Sequence, residues 1–151
     1  MMIYKILKTE SNWGALIARL TLGIVLFPHG AQKMLGWFGG YGFAGTVDFF
    51  MHQMQLPWIV AFAVIIIEFY GSVFLILGLG SRLWSLAIAG LFSGIIYTTH
   101  LEHGFFMNWF GNQAGEGSEY ALLILGIAGA VLISGSGKYA LDTQLVKLLN
   151  R

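Results

Sequence analysis

Arginine, lysine, histidine and glutamate recur inside stretches of this 151-residue chain that are otherwise apolar. Arg19, His29 and Lys33 fall in one such stretch, Glu68 in a second, and His100 at the end of a third. His103, Asn108 and Glu119 follow, the last opening a fourth. Histidine and carboxylate side chains exchange protons, and lysine and arginine hold negative charge in place. Inside hydrocarbon an ionisable residue costs about 2.5–3.5 kcal/mol to insert, so such residues face a bundle interior and find partners there. Proton exchange beside an apolar slot is the chemistry such a set supports.

Spacing suggests how these residues meet. Arg19 lies about five residues into its stretch, roughly 8 Å deep at the helical rise, and Glu68 roughly 15 Å from the same side. An arginine side chain covers much of that difference, so an Arg19–Glu68 pair is expected. It would act as a clamp between helices, as the charge that keeps a functional carboxylate ionised, or as both. His29 and Lys33 stand four apart and share a face. They either snorkel to the headgroups or point into a polar cluster. Pro28 removes a backbone donor and is expected to bend the helix just before His29. His29, His100, His103 and Glu119 are expected to converge at one mouth of the bundle. Histidines and carboxylates at such spacings can bind metal, but no HExxH-like signature is present, and the expectation is no metal site. Glu116 and Glu119 suit a helix N-terminus, where carboxylates meet free N–H groups.

The elements that must carry these residues follow from hydropathy. The chain is 57% hydrophobic and 10% charged, where soluble domains carry about 25% charged residues. A surface so short of charge requires lipid as its solvent. Four apolar stretches, about 14–34, 57–78, 82–101 and 119–135, approach or reach the roughly 20 residues that cross a bilayer. Backbone groups in hydrocarbon must pair within their own segment, so each stretch reads as a helix. The fold class is therefore an all-α membrane protein, one four-transmembrane-helix domain over residues 1–151. The first stretch is too long for a signal peptide and lacks a small-x-small cleavage site, so it reads as a retained helix.

With four spans, Lys5, Lys8, Arg82, Lys138, Lys147 and Arg151 gather on one side and only Lys33 on the other. The bias places both termini in the cytoplasm. FAGTVDFFMHQM at 43–54 then reads as a short interfacial helix in the first outer loop, and the tail from Lys138 as an amphipathic helix along the inner surface. Trp37, Phe38, Tyr41 and Trp58 fit an outer aromatic belt, Trp13 and Trp84 an inner one. Gly90 and Gly94 in the third span, and Gly126 and Ala130 in the fourth, are spaced for close helix approach, within the bundle or in a homo-oligomer.

Several classes drop out. Net charge is +1, too small to suggest a nucleic-acid partner. There are no cysteines, so disulfides, thiolate metal sites and cysteine nucleophiles are excluded in this chain. GYGFAG at 40–45 matches a dinucleotide fingerprint in letters only, since no βαβ unit surrounds it.

Arg19, HGAQK at 29–33, a glutamate in span two followed by LGLGSR, HGFFMNWFG at 103–111 and the glutamate opening span four occur in an order that resembles the DoxX family of small four-helix membrane proteins. The resemblance implies a bacterial inner-membrane protein. Members are often labelled oxidoreductases, and one branch resembles the small subunit of thiosulfate:quinone oxidoreductases. Arg19, His29, Lys33, Glu68, His103, Asn108 and Glu119 match polar positions of the family. The expected function is a quinone-linked membrane oxidoreductase, or the small subunit of one, working with a soluble or membrane redox partner. A non-catalytic scaffold for a soluble enzyme is the alternative, and a small-solute transporter a third reading.

Overall fold

The computed structural model describes residue 7 and residues 9–149, and among these there is no strand. Lys5, Lys8 and Arg151, which entered the charge count, lie outside the described residues. Helix α1 spans Trp13–Leu35, α2 Gly42–His52 and α3 Trp58–Leu77. Helix α4 spans Ser81–Ile95 and runs on through a π-helical turn, Ile96–His100, and a 3-10 turn, Leu101–His103. Helix α5 spans Glu119–Ser134 and α6 Leu141–Leu149. Three helical runs, Trp13–Leu35, Trp58–Leu77 and Ser81–His103, are long and apolar enough to cross a membrane, while α5 is apolar but shorter at 16 residues. Large apolar side chains such as Ile59, Leu83, Leu86 and Leu123 point outward. A bundle apolar on its outer faces as well as its core is one built for lipid.

Local sequence sets the helix ends. The Asn12 side chain accepts from Ala15 N–H at 2.6 Å and caps α1, satisfying one of the free donors of the first turn. Gly36 closes α1 and Gly78 closes α3, each in the left-handed region at φ 74° and 69°, which glycine adopts without Cβ cost. Pro28 sits inside α1 without ending it.

The four long helices form a closed antiparallel ring in the order α1, α3, α4, α5, with α5 returning to α1 and α2 lying across α1 and α3. The buried face of α1 is Ala15, Arg19, Leu22, Leu26 and Gly30, steps of four and three that define one helical stripe. Leu22 and Leu26 meet Leu75, Ile88, Phe92, Ile124 and Val131 in the core. Gly30 is where α1 and α3 come closest. A Cβ there would sit 2.5 Å from Phe69 Cα and 2.6 Å from the Glu68 carbonyl. Gly30→Ala is therefore expected to push the helices apart and destabilise the protein by about 1–3 kcal/mol, the usual cost of overpacking. An unfolding midpoint in detergent equal to that of the parent would contradict this contact.

The end of the ring where α1 and α4 begin and α3 ends is plugged by a polar network. Arg19 is 1% exposed. Its Nε donates to Ser136 O at 2.8 Å, Nη1 to Leu75 O and Ile76 O at 2.6 Å each, and Nη2 to Lys138 O at 3.2 Å. Leu75 and Ile76 belong to the last turn of α3, whose carbonyls have no partner within the helix. From α6, the buried Asp142 carboxylate accepts from Gly80 N at 2.7 Å and Ser81 N at 3.4 Å, capping α4 with a charge suited to a helix N-terminus. Ser136 Oγ donates to the same carboxylate. The tail is thus keyed into the bundle as well as amphipathic.

Two expectations are corrected. Arg19 does not reach Glu68, because its guanidinium is spent on carbonyls at the plugged end. Gly90, Gly94 and Gly126 are not packing seams within the bundle, since a Cβ at any of them meets nothing within 4 Å of this chain. The close helix approach comes instead from Gly23 and Gly30 of α1 against α3. Helix formation at Gly42–His52 agrees with the sequence.

Candidate functional site

At the end opposite the plug, Lys33 Nζ lies 2.5 Å from Glu68 Oε2. Lys33 is one helical turn beyond Gly30, so the close approach there carries its side chain over to α3. The lysine is 24% exposed and the glutamate 5%. The carboxylate is the deeply buried member, and the ammonium reaches down to it from the rim.

The pair forms one wall of a cavity of about 390 Å³ enclosed by α1, α3, α4, α5 and the loop before α5. Leu26, Phe92 and Ile95 supply apolar walls, and His29, His100, Glu116 and Tyr120 add polar groups. Two of those groups stand out. His100 Nδ1 and Tyr120 Oη are buried and have no hydrogen-bond partner among the described residues. A buried polar atom without a partner loses about 1–3 kcal/mol, and both of these residues line the cavity. The π turn Ile96–His100 places His100 there, and one extra residue in a turn re-aims every side chain beyond it. The Tyr120 ring packs edge-on to Phe92, with centroids 6.1 Å apart, and lies 6.3 Å from the His29 ring.

The loop from Gly104 to Ser118 roofs the cavity through a compact set of bonds. Glu119 Oε2 accepts from Met107 N at 3.1 Å and Glu116 Oε2 from Asn108 N at 2.9 Å. Asn108 exchanges bonds with Gln113 at 3.0 and 3.2 Å. Glu119 N and Ser118 N donate to Phe105 O and Gly104 O. Both carboxylates thus take amides of the preceding loop rather than those of the first turn of α5, which corrects the capping expectation.

Of the residues singled out from sequence, His29, Lys33, Glu68 and His100 line this one cavity. His103 lies with its ring against Gly115, Asn108 and Glu119 hold the roof, and Arg19 belongs to the plug. Sequence reasoning missed Tyr120 and gave Glu116 a different role. The signal for Tyr120 was a hydroxyl one residue past Glu119, at the mouth end of an apolar helix. Among the described residues no group of three or more histidines and carboxylates is placed to hold a metal ion.

Tyr120 and His100 bring hydrogen-bonding groups to a cavity whose other walls are mostly hydrocarbon, the make-up of a site for a ligand with a few polar atoms on an apolar body.

Comparison with known proteins gives three results. A family profile described as DoxX matches residues 14–101. A protein of Bacillus subtilis (strain 168) named "Putative oxidoreductase CatD" is 30% identical over 134 residues, covering 89% of this chain and 88% of that protein. No solved structure matches.

Proposed function

Because the chain belongs to the DoxX family of membrane proteins, we propose that it is a quinone-linked membrane oxidoreductase, or the small membrane subunit of one, with the Lys33–Glu68 cavity as its ligand site. The observation that carries this reading is the pair of buried atoms without a partner among the described residues, His100 Nδ1 and Tyr120 Oη, on two residues that line a mostly apolar cavity beside a buried carboxylate. The named oxidoreductase in Bacillus subtilis supports it.

A bound quinone supplies two-electron, two-proton chemistry at its oxygens. The residues of the chain do the rest. Tyr120 donates a hydrogen bond, and His100 donates or accepts according to its tautomer. Leu26, Phe92 and Ile95 keep bulk water from the head, which strengthens each polar contact inside. Glu68 lines the cavity as a carboxylate paired with Lys33, and His29 and Glu116 line it beside them. The chain has no cysteine, so any thiol redox step falls to a cofactor or to a redox partner protein. The protein crosses the inner membrane four times with both termini in the cytoplasm, a placement supported by Arg82, Lys138 and Lys147 at the plugged end.

Equilibrium dialysis of the detergent-purified protein against a tailless dimethoxybenzoquinone tests this reading. The wild type is expected to bind it. Tyr120→Phe is expected to weaken binding roughly fivefold, about 1 kcal/mol for one net hydrogen bond. Absence of binding by the wild type would sink the assignment, and an unchanged affinity for the phenylalanine variant would remove Tyr120 from it.

A further inference from the structure

A second cavity, of about 440 Å³, lies between α3 and α4 beneath α2, and Lys33, Glu68 and Ile95 wall it as well as the first. Its other lining is almost wholly hydrocarbon, with Phe50 of α2 and Met54 just after it over one end and Val60 and Val64 along α3. Its floor on α4 is Gly90 and Gly94. Neither glycine touches a neighbouring helix, since a Cβ at either meets nothing within 4 Å. The missing side chains therefore leave room in this groove and serve no helix contact. From Gly90 to Thr99 the floor runs roughly 14 Å at the helical rise.

We propose that this groove receives the hydrocarbon tail of the same ligand whose polar head lies in the first cavity, so that the ligand is a quinone-type head on a long prenyl chain and not a small free quinone. The inference rests on the head site assigned above. Two features favour the tail of that ligand over the acyl chain of a separate phospholipid. The groove and the head site meet at one ion pair, so one molecule with a polar end and an apolar end satisfies both walls. The groove itself offers no unspent cation for a phosphate, because Lys33 is bound to Glu68 at 2.5 Å. Its Thr98 hydroxyl is also committed, donating to Gly94 O at 2.9 Å.

The test compares decylubiquinone with its tailless head group on the full-length protein in detergent. Wild type is expected to bind the tailed compound at least tenfold more tightly. Gly90→Leu and Gly94→Leu put a side chain into the groove, and each is expected to remove most of that advantage while the tailless head still binds. Gly126→Leu, on α5 and equally free of contacts, controls for leucine replacing a helical glycine and should leave both affinities as they were. If the groove variants keep the tenfold preference, the tail lies elsewhere or a membrane lipid fills the groove, and the proposal is overturned. If wild type binds neither compound, the head assignment itself fails, a distinct outcome. A variant that does not fold is recognised by its unfolding midpoint, and Gly90→Val then supplies a smaller obstruction with the same expected direction.

Discussion

Lys33→Met is expected to destabilise the protein by about 3–5 kcal/mol, the usual cost of stranding one member of a buried ion pair. Glu68 is the member left behind, and only 5% of its side chain is exposed. It must then take up a proton or stay charged beside hydrocarbon, and both cost free energy. The double variant Lys33→Met/Glu68→Gln removes the charge together with its counter-charge. It is expected to regain most of the lost stability, since neutral replacement of a buried pair is often close to thermally silent. Quinone affinity should not return with it, because the pair lines both the head cavity and the groove. Thermal unfolding and equilibrium dialysis on the three proteins separate the two effects. A single variant as stable as wild type would mean that Glu68 already finds water. A double variant that binds normally would take the pair out of the ligand site.

The second large effect is predicted for Arg19. Arg19→Met leaves the carbonyls of Ile76, Ser136 and Lys138 without their donor, while the Leu75 carbonyl keeps the Gly78 amide at 3.1 Å. Each buried acceptor left unpaired costs about 1–3 kcal/mol, so a net loss of roughly 3–5 kcal/mol is expected after partial relaxation. For a chain of this size that corresponds to a fall of roughly 6–20 °C in the unfolding midpoint. Arg19→Lys should recover only part of it, because an ammonium is a point donor and cannot spread its bonds as a planar fork does. Quinone binding below the new midpoint should match wild type, since the plug and the cavity occupy opposite ends of the ring. Loss of binding by folded Arg19→Met would show that the two ends are coupled.

Much of the helical plan was legible because apolar length and 3.6-residue periodicity are local properties. The expected stretches 14–34 and 57–78 differ by a residue at each end from α1 and α3. The third stretch was harder, because nothing in IYTTH announces a π turn, and that turn decides where His100 points. Pairing among the polar residues was the least legible part. Depth along the helices made Arg19 a reasonable partner for Glu68, and Lys33 looked like a snorkelling rim residue. What settles the matter is the shape of the α1–α3 seam, in which Gly30 lets the helices close just before Lys33. The four carbonyls that claim Arg19 are backbone atoms, which no residue type advertises. Tyr120 escaped notice for a related reason. Its ring reads as ordinary packing, and only the surroundings show that its hydroxyl has no partner among the described residues.

Arg19 also bears on the order in which the protein is made. Its partners Ser136 and Lys138 emerge from the ribosome 117 and 119 residues after it. The contacts that satisfy half of this guanidinium therefore come from the last part of the chain to be made, so the plug closes only when the tail docks.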